Sequence, residues 1–418
     1  MLIVIQVSVS FRSVPRFLEL LKVLNLSQTT WVPHFTSVIN WVLRYGLFKL
    51  QQVHKLQKPW AAIIDHSIDI GVKKILVVLR VPLEHLAKKS GALTLKDCEC
   101  IGLCIAETSD HKTVAQQLED IFKIAGNPTL IIKDGAGNLA KGVAFWKSIA
   151  KPKLCIVVDD IGHFLANALK AQFSKLKQFK KLLTIIRSGA SQLRQTKLAY
   201  LTPPKIRTKG RFQSISKVIS WCENMLASLA KISDQEAKKQ FSGAFSGLSS
   251  LKSFIKQFSE TTRVTNEIQA LLKNEGLNYE NFSHAMDLTN QLPPRSKVRK
   301  RLSKWLKSHY AKWARLGMKD IPLLVSSDIL ESLFGKYKVI ISRSSIEDMN
   351  RMALIIPTLC GQPPNENEIQ QVFSETKHED LNKWAVDNIS HTLRSRRRSF
   401  KEQVDWPDKC QKAGKLAA

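Results

Sequence analysis

The chain has 418 residues, too many for one compact core, and its 44% hydrophobic and 24% charged composition belongs to a folded chain and excludes global disorder. Lys and Arg total 64 against 35 Asp and Glu, a formal net charge of +29 with a pI near 9.9; such an excess favours a polyanionic partner, nucleic acid before an anionic membrane surface. No apolar run approaches the roughly 18 residues of a spanning helix, which excludes an integral membrane protein.

The apolar start, residues 1–9, has no basic residue before it and no small-residue cleavage site after it, so it reads as a helix or strand of the fold and not as a signal peptide. Residues 14–24 have helical amphipathic spacing, 25–30 form a polar turn, and Pro33 opens a second helix through Thr36, Val38 and Trp41. With Arg44 and Lys49 close by, this pair has the form of a helix-turn-helix or, equally, of a plain helical subdomain.

From Trp60 the apolar period shortens to that of strands. Residues 60–64 end in Asp65, residues 75–81 are rich in Val, Ile and Leu, and residues 98–105 follow. Beyond the polar turn 109–112 comes a helix over 113–124, a break at Gly126, Asn127 and Pro128, a short strand 129–132 before Asp134, a helix over 139–149, and a strand 154–158 ending at Asp159 and Asp160. Three strands in succession predict an antiparallel meander; the later ones alternate with helices as parallel strands do. The seven cysteines, an odd number, give no disulfide framework. Cys98, Cys100 and Cys104 share one parity and are expected on one face of a strand, as small buried thiols in a reducing cytosol.

After His163 the pattern is helical. Residues 161–222 contain thirteen Lys or Arg and no acid, with a loop predicted over 201–210 around Pro203 and Pro204. Pro293 and Pro294 mark a boundary, residues 295–319 hold ten Lys or Arg and no acid, and Ser326, Ser327 and Asp328 start a further helix after a short apolar piece at 322–325. The tail, with Arg394, Arg396, Arg397 and Arg398, reads as solvated, and no internal repeat is present.

Asp65 and Asp134 each follow a strand. Where strands adjoin, such ends bring two acids within reach of one metal ion, and magnesium needs only a few carboxylates besides water and substrate phosphate. Taken singly, each acid is equally a turn or cap residue. The motifs Ala-Ile-Ile-Asp65-His-Ser and Leu-Ile-Ile-Lys-Asp134-Gly, set in a meander followed by alternation, resemble the RNase-H-like core of DDE transposases. In that family the third acid lies on a helix beyond the fifth strand, sometimes after a long helical insertion, and Ser326-Ser-Asp-Ile-Leu-Glu331-Ser-Leu-Phe-Gly-Lys-Tyr-Lys338 is similar to that segment. Asp160-Ile-Gly-His163 resembles the Asp-x-x-His motif of hAT and Mutator-like members. Asp328 and Glu331 also have capping-box spacing, which offers Glu331 a purely structural role.

The resemblance, over residues 60–356, implies an α/β fold: an RNase-H-like mixed sheet interrupted by an all-α insertion, behind a small helical N-terminal region. It divides the chain into 1–55, a helical segment with helix-turn-helix form; 56–163, the first part of the core; 164–320, the basic insertion; 321–390, the final core helices; and 391–418, a basic tail. It implies Asp65, Asp134 and Glu331 as catalytic metal ligands for Mg²⁺, with Mn²⁺ able to substitute. Water would attack a phosphodiester at a transposon end, and the freed 3′ hydroxyl would attack target DNA. His163 would orient an acid or bond phosphate, with Asp160 beside it. DNA contacts are expected from Arg295, Lys297, Arg299, Lys300, Arg301 and Lys304, from Lys336 and Lys338, and from Trp221, which with Trp305 and Trp313 is alternatively core. The implied partners are double-stranded DNA, both transposon ends and target, and further copies of the chain; no membrane is implied, and the location is cytoplasmic, at the nucleoid in a bacterium. A non-catalytic DNA-binding descendant and an RNase-H-like nuclease are the alternatives.

Overall fold

The computed structural model describes the chain except residues 27–30, 71–72, 90, 108, 136, 207–210, 229–232, 342–349, 390–397, 401 and 404–418. Parts of the polar turn at 25–30 and of the loop at 201–210, and almost all of the basic tail, therefore lie outside the described residues.

Three helices come first: α1 (Leu2–Val7), α2 (Ser13–Val23) and α3 (Phe35–Gln51). Strands β1 (Trp60–Ile70) and β2 (Lys73–Pro82) form a hairpin, and α4 (Leu83–Lys88) leads to β3 (Glu99–Ala106). Helix α5 (His111–Ala125), strand β4 (Leu130–Lys133), helix α6 (Gly137–Ala150) and strand β5 (Ile156–Asp159) then alternate. The sheet order is β3-β2-β1-β4-β5, antiparallel across β3-β2-β1 and parallel across β1-β4-β5. The protein is thus a mixed α/β fold with one five-stranded mixed sheet.

From Ile161 the chain is helical: α7 (Ile161–Phe173), α8 (Lys177–Leu193), α9 (Ile215–Ser228), α10 (Gln235–Ala244), α11 (Lys252–Glu275), α12 (Tyr279–Asn290) and α13 (Lys297–Leu316). A bridge between Leu277 and Leu323 returns it toward the sheet, where α14 (Asp328–Ile341), α15 (Ile355–Thr358), α16 (Glu366–Glu375) and α17 (His378–Asn388) follow. Among the described residues no helix is long and apolar enough to cross a membrane.

Alternation along β1 sends its residues to two different cores. Trp60, Ala62 and Ile64 pack with Val114, Leu118, Phe122, Val143 and Trp146 of α5 and α6. Ala61 and Ile63 face the larger core, with Val42 of α3, Ile161 and Leu165 of α7, and Leu330 of α14. Full burial of one such side chain contributes about 1.5–3 kcal/mol, and Ile63 and Ile64 are both fully buried.

One expectation is corrected here, and of the two readings of the Pro33 helix the structure fits the plain helical subdomain. Cys98 and Cys100 lie in the larger core while Cys104 packs against the other. The pairing jumps from Val78–Gly102 to Leu79–Cys100, so Ile101 is an extra residue, and this bulge reverses the side-chain parity. The helix opened by Pro33 is enclosed and does not present the free face of a recognition helix: Val38, Val42, Leu43, Tyr45, Leu47 and Phe48 are all buried. Arg44 donates to the Phe373 carbonyl at 2.8 Å and to that of Thr376, and Lys49 donates to that of Cys360, so both cations serve the C-terminal helices.

Candidate active site

The last parallel pair of β1 and β4 is Ile64–Lys133, so Asp65 and Asp134 each stand one residue beyond it. Asp65 shares the parity of Ala61 and Ile63, and Asp134 that of Leu130 and Ile132, all of which face the larger core. Both acids therefore leave the sheet on the side covered by α7 and α14. Asp65 is not the end of its strand, because the hairpin with β2 continues through Ser67–Ile75 and closes at Ile70–Lys73.

His163, in the first turn of α7, joins the acids. Its Nδ1 donates to Asp134 Oδ1 at 3.0 Å, and its Nε2 lies 3.9 Å from Glu331 Oε1, with the Gln213 amide 3.4 Å from the same nitrogen. The hydrogen bond to Asp134 raises the His163 pKa to about 9 despite the opposing effect of burial, so the ring is an imidazolium at neutral pH. Burial pushes the Asp134 carboxyl up, but the His163 hydrogen bond and charge outweigh it and hold the group below the usual carboxylate range. Asp65 goes the other way: burial first, then the Asp134 charge, raises it to about 7, with Glu331 adding in the same direction. Glu331 is raised by burial and by Asp328, although its side chain is 62% exposed.

At the start of α14 the Asp328 N–H donates to the Ser326 hydroxyl at 3.3 Å. Asp328, the first residue of α14, pairs with Lys273 Nζ at 2.6 Å, while Glu331 faces His163. Asp160, expected at a DNA surface, is 1% exposed. One of its oxygens accepts from the His163 N–H at 2.7 Å; the other accepts from the Ser327 N–H at 2.7 Å and hydroxyl at 3.0 Å. One carboxylate thus caps α7 and ties down the residue that precedes α14, which links the helices of His163 and Glu331.

Asp134 and Glu331 beside the imidazolium, with Asp65 within electrostatic reach of both, are hard oxygen donors, the chemistry a hard divalent cation takes. Among the described residues no group of three or more His, Cys, Asp or Glu side chains stands placed to hold a metal ion on its own. An ion that keeps several waters and takes its remaining ligands from a phosphate needs no such group. A polar cavity of about 500 Å³ opens beside His163 and Glu331, lined also by Gln213, Lys217, Asn266 and Gln269.

The basic residues lie further out. Arg295, Lys297, Lys300, Arg301 and Lys304 are exposed along the start of α13, and Lys336 and Lys338 are exposed on α14. Arg299 is half-buried and donates to the Leu292 carbonyl and the Asn290 side chain, both at 2.9 Å, so it secures the α12–α13 turn. Trp221 donates to the Leu201 carbonyl at 3.1 Å and sets its ring edge-on to Phe245, while Trp305 is buried between Phe164 and His309. Trp313 donates to the Ile321 carbonyl at 2.9 Å. Gln213 carries no sequence signal for its role, and Ser327, visible in the sequence as part of a helix start, gives no sign of its bond to the distant Asp160.

No family model and no curated protein matches the chain. Among solved structures it is similar to the Drosophila P element transposase strand transfer complex, with 12% identity and a TM-score of 0.37, over 78% of this chain and 84% of that one.

Proposed function

We propose that the protein is a DDE-type transposase with an RNase-H-like core and an all-helical insertion, of the insertion-sequence type with hAT or Mutator-like features. What supports this reading is that His163 stands between Asp134 and Glu331, with Asp65 within electrostatic reach, although Glu331 arrives from beyond the whole helical region. Strand order 3-2-1-4-5, with acids where β1 and β4 part, also supports it.

Asp65, Asp134 and Glu331 would hold Mg²⁺, or Mn²⁺ in its place. When bound, such ions supply Lewis-acid polarisation of the phosphoryl oxygens and lower the pKa of the attacking hydroxyl or water. His163 fixes the rotamer of Asp134 and keeps that carboxylate ionised, and Asp160 fixes His163. The exposed cations of α13 and α14 hold backbone phosphates of double-stranded DNA, transposon end and target, away from the reacting bond. Hydrolysis at the end and attack by the freed 3′ hydroxyl are both in-line displacements at phosphorus, so one site serves both. The chain would work as a homo-oligomer that pairs two ends.

A strand-transfer assay with a pre-cleaved element end, plasmid target and magnesium tests the reading. Joined product is expected. Hydrolysis without joining indicates a nuclease, and binding without either indicates a non-catalytic DNA-binding protein.

A further inference from the structure

Successive residues at the end of a strand point to opposite sides, and the sheet edge therefore carries a second cluster beside the acids. Asp134 faces α7 and α14, whereas Lys133, the residue before it, pairs with Asp159 at 2.5 Å on the other side. Asp159 and Asp160 divide in the same way, since Asp160 is committed to Ser327 and His163. Lys133 and Asp159 line a cavity of about 530 Å³ between the ends of β4 and β5, the start of α6, and helices α7 and α13. Arg301, Lys304 and Lys312 complete its charged lining.

Cations outnumber anions there. Among the described residues Lys304 and Lys312 have no hydrogen-bond or ion-pair partner, and Arg301 has only the Asn167 carbonyl, at 3.3 Å. His309 does not offset or add charge: burial lowers it to about 4, its Nδ1–H donates to the Trp305 carbonyl at 2.8 Å, and its Nε2 accepts from the Asp159 N–H at 3.3 Å. Lys312 is held below its ordinary pKa by burial first and then by Lys133 and Lys147, against the pull of Asp159. Lys312 thus shares Asp159 with Lys133, and half-buried positive charge in excess of its counter-ions is a cost that a bound anion removes. Outside the cavity the same helix, α13, carries exposed Lys297, Lys300 and Lys307, so its positive charge is longer than a small anion needs and suited to a polymer.

We propose that this cavity, between α7 and α13 at the β5 edge of the sheet, binds a backbone phosphodiester of a passing DNA strand, held by Lys304, Lys312, Arg301 and, once released from Asp159, Lys133. The inference rests on the DNA-processing function above and adds a strand site that the three acids do not define.

The test is binding of the full chain to a fluorescein-labelled duplex with a single-stranded end, measured over a range of salt concentrations. Lys312→Gln and Lys304→Gln should each reduce the log-log salt slope by about 0.7–0.9, and Lys312→Arg should restore it. Asp159→Asn removes the competing carboxylate and should steepen the slope by a similar amount, an opposite sign that general loss of folding cannot mimic. Slopes unchanged in all four variants, with wild-type binding intact, would overturn the inference and leave the proposed function standing. A loss of pyrophosphate-induced thermal stabilisation in Lys312→Gln without a change in DNA slope would also overturn it, in favour of a small-anion site. Failure of the wild-type chain to bind DNA would instead overturn the function itself.

Discussion

Asp160 reaches across 167 positions of sequence to accept two hydrogen bonds from Ser327, while its other oxygen caps the helix that carries His163. Asp160→Asn keeps the volume but replaces one acceptor with an amide donor that faces the N–H and hydroxyl of Ser327 or the N–H of His163. It should cost about 1–3 kcal/mol of stability, visible as a lower urea midpoint. DNA joining should fall further than the loss of folded protein explains, because His163 and Glu331 lose their common anchor. Joining that tracks only the folded fraction would remove Asp160 from the positioning of the site.

The His163–Asp134 pair gives stability within a defined pH window. The folded pKa of His163 lies above its unfolded value, so its contribution is complete below about 6.5 and is lost as pH rises through about 9. The folded pKa of Asp134 is lowered, so its contribution is present above about 3.8 and is lost as pH falls below that value. His163→Gln should therefore lower the melting temperature near pH 6 and have little effect near pH 10. The same variant leaves Asp134 unsupported, and joining should drop by about 10–100-fold, the usual cost of losing a group that orients a ligand.

Asp65 has the opposite sign. Its folded pKa, about 7, lies above the unfolded value of 3.8, so the ionised side chain opposes folding above about pH 7 and this penalty fades as pH falls. Without divalent ions, Asp65→Asn should raise the melting temperature near pH 8 and lose that gain near pH 4, while abolishing joining at either pH. Magnesium should stabilise the wild-type chain near pH 8 more than it stabilises Asp65→Asn. Equal stabilisation of the two would separate Asp65 from metal binding.

Much of this arrangement was legible in the sequence where it depends on local pattern. The apolar runs before Asp65 and Asp134 and the alternation of strands and helices after residue 109 follow from period and turn chemistry, and they place both acids at the same edge. What depends on a single inserted residue or on distant packing was not legible. The bulge at Ile101 leaves no mark on the spacing of Cys98, Cys100 and Cys104, yet it sends Cys104 to the other core. The Pro33 helix has the period of a surface helix, but its Gly46 lies so close to α15 that an added Cβ would sit 1.8 Å from the Leu354 carbonyl oxygen. Lys133 and Lys312 are ordinary lysines in the sequence; only the parity of β4 and the fold of α13 against it bring them together.

That close approach is itself testable. Gly46→Ala must push α3 away from the segment before α15 and should destabilise the protein by about 1–3 kcal/mol, read from thermal or urea unfolding. An unchanged melting temperature would contradict the enclosed position of this helix.

The most direct measurement of the central claim is magnesium-dependent DNA joining by Asp65→Asn, Asp134→Asn and Glu331→Gln, side by side with their DNA binding. Each substitution removes one carboxylate charge at nearly constant shape, so joining should fall by about a thousandfold or more in every variant while binding persists. Glu331→Gln is the decisive member, because Glu331 reaches the other two acids only through the folding of the whole helical region. Joining at the wild-type rate by Glu331→Gln would contradict the account.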